Sequence, residues 1–157
     1  MTTTDIEVQA SRHLGQLLFI FGRLEMNIGL ALLNSYPVSE LNEVAERFEE
    51  APFGVKLGEL ANRVDARRGD NGGDFKAWDD WVADARHLRT LRNRLAHGRW
   101  GFIEATGTIA HVCGLPGGAK QEEIRFTLPE FASKVAEAGR VSAQFSAMQK
   151  WLSTLFF

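Results

Sequence analysis

Leu88-Arg89-Thr90-Leu91-Arg92-Asn93-Arg94-Leu95-Ala96-His97-Gly98-Arg99-Trp100-Gly101-Phe102-Ile103 is the stretch in which a helical period gives way to a strand period. Leu88, Leu91 and Leu95 recur at the three- and four-residue spacing of one helix face. Beyond Gly98, a residue suited to a left-handed C-cap, that spacing is lost. Upstream the same stripe runs back through Phe75, Trp78, Trp81 and Ala85, with Asp74 as the expected N-cap. Downstream, segments 99–104 and 108–113 flank Ala105-Thr106-Gly107 as a hairpin. Segment 123–126 is expected to add a third strand after the turn-rich Gly114-Leu115-Pro116-Gly117-Gly118.

Working outward, the flanks are helical. Leu14, Leu17, Phe21, Leu24, Ile28 and Ala31 form a core stripe on a helix over about 6–35, which Tyr36-Pro37 stops. Phe19, Met26, Leu30 and Leu33 make a second apolar stripe on another side of this helix, more than one neighbour covers, so a partner subunit is expected there. A short helix opens at Ser39-Glu40-Leu41 and carries Val44, Ala45 and Phe48 inward until Pro52. The next spans about 53–67, with Phe53, Leu57, Leu60, Ala61 and Val64 facing the core. Arg68-Gly69-Asp70-Asn71-Gly72-Gly73-Asp74 reads as a solvated loop whose aspartates do not have the spacing of a calcium loop. Thr127-Leu128-Pro129-Glu130 is a capping box that opens a last helix through Phe131, Val135, Ala138, Phe145, Met148, Leu152 and Leu155. The expected fold is mainly α: a single domain over 1–157, a bundle of four to five helices with a small β-hairpin or three-stranded insertion before the last helix.

Composition bounds the function. A chain of 157 residues, 45% hydrophobic, suits one core. The single cysteine, Cys113, excludes an internal disulfide framework and points to a reducing compartment. The opening residues have neither a basic segment nor an apolar signal core, and the apolar run 14–33 is interrupted by Gln16, Arg23, Glu25 and Asn27. A cytoplasmic protein without a membrane span is therefore expected. A net charge of −2 argues against a wholly basic surface, yet the window 86–99 holds five arginines and no acid, so any polyanion site is local.

The motif window carries the chemistry. On a regular helix Arg92 stands at the edge of the leucine face, where it needs a partner, and Glu25 occupies the equivalent edge of the first helix. Arg86, Arg89, Asn93 and His97 are spaced three, four and four apart and line a second, cationic face. Arginine offers phosphate a planar fork of donors, and histidine exchanges a proton near neutral pH. Arg92 and His97 would sit about 140° apart on an unbroken helix. Either the helix ends before His97, or a second subunit completes the site. His13, His87 and His111 have no companions at metal-ligand spacing. Cys113 reads as a small core residue, the tryptophans as packing groups, and Asp79, Asp80 and Asp84 as a solvated face. No metal and no cofactor are expected.

Arg92-Asn93-x-x-x-His97 resembles the Arg-x4-His motif of the HEPN superfamily (higher eukaryotes and prokaryotes nucleotide-binding domain), with the expected polar residue directly after the arginine. The resemblance covers the helical frame and is sharp over residues 88–100. It implies a metal-independent endoribonuclease of toxin or phage-defence type, working as a homodimer on single-stranded RNA, with a protein antitoxin as a possible partner. The alternative it also implies is a non-catalytic dimer that binds nucleotide, RNA or a protein. By resemblance, His97 activates the ribose 2'-hydroxyl or protonates the leaving 5'-oxygen, Arg92 stabilises the phosphorane charge, and Asn93 orients either. Arg86, Arg89, Arg94 and Arg99 would hold the RNA backbone, with Glu25 in support. One branch carries a tyrosine two residues after the histidine, which an antitoxin nucleotidyltransferase modifies; here that position is Arg99, so this modification is not expected.

Overall fold

A computed structural model describes residues 1–69 and 75–157. Among these the elements run α1 (Thr3–Asn34), a 3-10 turn (Val38–Glu40), α2 (Leu41–Phe48), α3 (Phe53–Asp65), α4 (Phe75–Ala96), β1 (Arg99–Ile103), β2 (Thr108–Cys113), β3 (Glu122–Thr127) and α5 (Leu128–Phe156). The fold is mainly α, with a small antiparallel sheet in the order β1-β2-β3 ahead of the last helix. Asp74, the expected cap of α4, and most of its loop lie outside the described residues.

Local chemistry sets the element ends. α1 begins three residues before Ile6, because the Thr2 amide donates to Asp5 Oδ2 at 2.9 Å and the Asp5 amide donates to Thr2 Oγ1 at 3.2 Å. This reciprocal cap uses Asp where sequence patterns look for Glu or Gln. α3 ends at Asp65 rather than near residue 67, with the Ala66 amide donating to the Asn62 carbonyl at 3.1 Å and the following residues in a turn. α5 opens on the expected box: the Thr127 amide donates to Glu130 Oε2 at 2.6 Å, and the Glu130 amide to Thr127 Oγ1 at 3.3 Å.

The bond from the Thr127 backbone holds the Glu130 carboxyl below its ordinary pKa of 4.5. Its stabilisation is therefore present above that ordinary value and lost as pH falls through the lowered one. Urea midpoints measured from pH 6 to 3 are expected to fall less steeply in Glu130→Gln, which keeps the shape of the cap without the charge.

The chain divides into two compact units: residues 1–21 with 90–140, and residues 22–89 with 141–157. In the first unit the sheet pairs Phe102 with Ile109 and Ile109 with Phe126. Strand alternation turns Ile109, His111 and Phe126 inward, and they are buried with Ile6, Leu17 and Phe21 of α1, Leu95 of α4 and Phe131 of α5. Phe131 is the hub of this unit. Its ring stacks on Trp100 at 5.8 Å, meets Phe126 edge-on at 5.3 Å and lies 5.5 Å from His13.

The second unit is all helical. Leu24, Ile28 and Leu32 of α1 are buried here, as are Leu57, Leu60 and Val64 of α3 and Trp78 and Trp81 of α4. Trp81 stacks on Phe145 at 4.8 Å, and its indole N–H donates to the Val141 carbonyl at 2.9 Å, which lets a polar ring sit in the core. The Arg63 guanidinium lies 3.6 Å from the Tyr36 ring centre while its Nε donates to Ser35 Oγ at 2.6 Å. Asp79 and Asp80 are taken up by Arg68 and Lys76 at the surface.

The second apolar stripe of α1 stays outside: Phe19 is 65%, Met26 64% and Leu30 50% exposed, and Leu33 is half-buried. α1 is also the one helix among the described residues long and apolar enough to cross a membrane, by length and composition only.

Candidate functional site

α4 stops at Ala96, and the motif histidine stands just beyond it. The His97 amide bonds back three residues to the Arg94 carbonyl at 3.3 Å, the tightened last turn common at helix ends. Gly98 follows at φ +116°, a conformation that a side chain strongly disfavours. Leu95 is fully buried and anchors the end of the helix, while His97 is exposed. Of the two solutions open from the sequence, the helix does end before His97. The angle between Arg92 and His97 is thus no longer set by helical period.

Arg92 is held from two sides. Its Nη1 donates to Asn93 Oδ1 at 2.8 Å, and its guanidinium carbon lies 4.9 Å from the centre of the Phe21 ring, a cation–π contact. Its Nε is buried without an acceptor. Glu25, the partner expected from the sequence, belongs to the second unit, where it lines a groove with Gly22, Met26 and Gly29. Asn93 thus meets the arginine of the motif as well as following it.

The last carbonyls of a helix have no donor within the helix. Here β2 supplies one. The Cys113 thiol lies 3.5 Å from both the Arg94 and the His97 carbonyl oxygens, and 3.7 Å from His111 Nδ1. His111 is fully buried and meets Trp100 edge-on at 4.7 Å. Burial foremost, then the nearby Arg94 charge, pushes the His111 pKa down, so the ring is a neutral imidazole. Arg94 forms an ion pair with Glu122 at 2.5 Å across to β3 and holds that carboxyl below its ordinary range.

Gly98 closes this arrangement. A Cβ there would lie 2.5 Å from the Val112 carbonyl oxygen and 3.0 Å from His111 Cε1. Gly98→Ala is therefore expected to destabilise the first unit by about 2 to 3 kcal/mol, read as a shift in the urea midpoint, from the disfavoured φ and the backbone clash together.

The remaining arginines are dispersed. Arg99 is exposed at the start of β1, opposite Val112 in register. Arg86 and Arg89 are exposed on the part of α4 that belongs to the second unit, and Arg89 Nη1 lies 2.7 Å from where a Cβ on Gly54 would sit. Arg94 is engaged by Glu122, its side chain only 26% exposed. From the sequence His111 had no companions at metal-ligand spacing and Cys113 read as a small core residue, although the alternation of β2 already put His111 on the inward face with Ile109. Among the described residues no group of three or more His, Cys, Asp or Glu side chains is arranged to hold a metal ion. No family model, curated protein or solved structure matches the chain.

Proposed function

We propose that the chain is a metal-independent endoribonuclease of HEPN type that cleaves single-stranded RNA at a site completed by a second copy. The observation that carries this reading is the end of α4: a clamped arginine, an amide beside it, and an exposed histidine released from the helical period by a capped turn. In the proposed reaction the ribose 2'-oxygen attacks the adjacent phosphorus and the 5'-oxygen leaves. One His97 takes the 2'-proton, the His97 of the second copy gives a proton to the leaving oxygen, and Arg92 faces the charge that builds on the phosphorane. Arg99 and, upstream on α4, Arg86 and Arg89 are the proposed backbone contacts; the partner of Arg94 within the chain makes it a support of the fold first. Glu25 keeps its proposed supporting role through α1.

A second copy is supported by α1. Phe19, Met26 and Leu30 are exposed, and a Cβ on Gly15, Gly22 or Gly29 would meet nothing within 4 Å. Large apolar groups beside small ones favour close helix packing between identical subunits. A cytoplasmic place and a silencing antitoxin rest on the sequence and its resemblance.

The non-catalytic alternative has one observation in its favour: Arg92 already spends one donor on Asn93 and lies against Phe21. Incubation of the purified chain with a single-stranded RNA pool in EDTA separates the two. Products ending in 2',3'-cyclic phosphate, and resistance of a 2'-O-methyl RNA, are expected; an inert protein that sediments as a dimer and retains RNA leaves the binding module.

A further inference from the structure

α1, α2 and the start of α3 line a groove of about 620 Å3 that the motif does not use. Its floor is apolar: Met26, Leu30 and Leu33 come from α1, Ala45 and Phe48 from α2. Every lining residue lies in the second unit. Met26 and Leu30 are 64% and 50% exposed, so this floor faces outward instead of closing on the core. Met26, Leu30 and Leu33 are spaced four and three apart and form a row about 10 Å long, two turns of a helix. Gly22 and Gly29 flank the row, and a Cβ on either would meet nothing within 4 Å, which lets another backbone come close to α1.

The rim is acidic. Glu25, Glu49 and Glu50 stand on it, and among the described residues none of these three carboxylates has an ion pair or a hydrogen bond. Lys56, the cation of the lining, turns its Nζ to the Glu49 main-chain carbonyl at 3.5 Å. Three carboxylates against one ammonium leave the groove negative. The open carbonyls at the end of α2, next to Glu49 and Glu50, add to that field. A negative rim around an apolar floor discriminates among occupants. Nucleic acid and the anionic face of a membrane both bring more negative charge. A second copy centred on the groove would set these carboxylates against the same three groups, which like-charge repulsion opposes. A helix with apolar residues at i, i+4 and i+7 and Lys or Arg on either side complements both floor and rim.

We propose that this groove is the docking site for a basic amphipathic helix of another protein. The α1 face that supports the proposed second copy continues past the groove to Phe19 and Gly15 but shares Met26 and Leu30 with it. A helix seated in the groove therefore displaces the second copy and stops RNA cleavage. That consequence rests on the ribonuclease reading; the docking does not.

The probe is a helical peptide of about four turns with leucines at that spacing and lysine and arginine on both flanks. Wild-type protein with 13C-labelled methionine methyls is expected to bind it, with the Met26 methyl resonance moving and affinity falling as salt rises. A peptide with glutamate in place of every basic residue, and one with the leucines scattered, are each expected to bind about tenfold more weakly or worse. Glu49→Lys with Glu50→Lys changes the rim, and Met26→Asn with Leu30→Asn changes the floor; all four positions are exposed, so the circular dichroism spectrum stays that of wild type. Each double variant is expected to weaken the basic peptide by about tenfold. No binding by wild type, equal binding of the acidic peptide, a Met26 resonance that does not move, or unchanged affinity in either double variant overturns the proposal. Sedimentation reads the consequence: the basic peptide is expected to turn dimer into monomer, and a dimer that persists with peptide bound overturns the competition. A chain that is monomeric without peptide removes the second copy of the ribonuclease reading, and the Met26 resonance still decides the docking.

Discussion

His97→Ala is expected to slow cleavage of single-stranded RNA by about 10² to 10⁴, the usual contribution of a general acid or base, equivalent to about 3 to 5 kcal/mol of barrier. The substitution leaves the architecture untouched for a specific reason. The His97 side chain is exposed, and the contacts that close the end of α4 go to its main chain: the amide to the Arg94 carbonyl, the carbonyl to the Cys113 thiol. Circular dichroism and the urea midpoint are therefore expected to stay within about 0.5 kcal/mol of wild type. Loss should appear in kcat with KM little changed, because a proton-transfer group acts in the transition state rather than in binding. If both copies contribute a His97, mixing wild-type and variant subunits gives hybrid dimers with a single His97, in which acid and base are never both present. A His97→Ala protein as active as wild type removes the ribonuclease reading.

Phe131→Ala is expected to destabilise the first unit by about 3 to 5 kcal/mol, the range for emptying a buried aromatic site. Phe131 is fully buried and touches rings from three separate elements, Trp100 of β1, Phe126 of β3 and His13 of α1. No single neighbour can move in to fill the space without breaking another of these contacts, so collapse of the cavity is limited. The consequence reaches the motif, because Trp100 is also the ring that packs on His111. The measurement is the urea midpoint, with the His97 and His111 resonances followed through the transition. Phe131→Leu, which fills most of the volume, should recover the larger part of the loss. A Phe131→Ala protein within 1 kcal/mol of wild type would contradict the place given to this ring.

Much of the fold was legible because its determinants are local. The leucine and tryptophan stripe of α4, the Thr127–Glu130 box and the change of period after Gly98 each depend on residues within one or two turns of one another. The start of α1 was missed since its cap is Thr-x-x-Asp, a shorter acid in the place of the usual Glu. The division into two units was not legible either: a stripe shows that a helix is buried along its length, not that its two ends serve different cores. Of the site, the exposure of His97 and the half-buried edge position of Arg92 followed from spacing. The partner of Arg92 did not. Asn93 takes one donor by proximity in sequence, whereas Phe21 reaches it only through packing between α1 and α4.

By itself the sequence determined the kind and order of the helices and strands, the arginine–amide–histidine spacing and the glycine that turns the chain, all properties of bond rotation and side-chain period over a few residues. Only the tertiary structure decided what surrounds that turn. Cys113 comes from a strand paired at both edges, and its meeting with the Arg94 and His97 carbonyls depends on the register of the sheet and the burial of Leu95, Ile109 and Phe126. Arg94 likewise finds Glu122 only because β2 sets β3 beside it. Such contacts join residues far apart in the chain, and their energy exists only once the intervening loops have closed and water has been driven from the core.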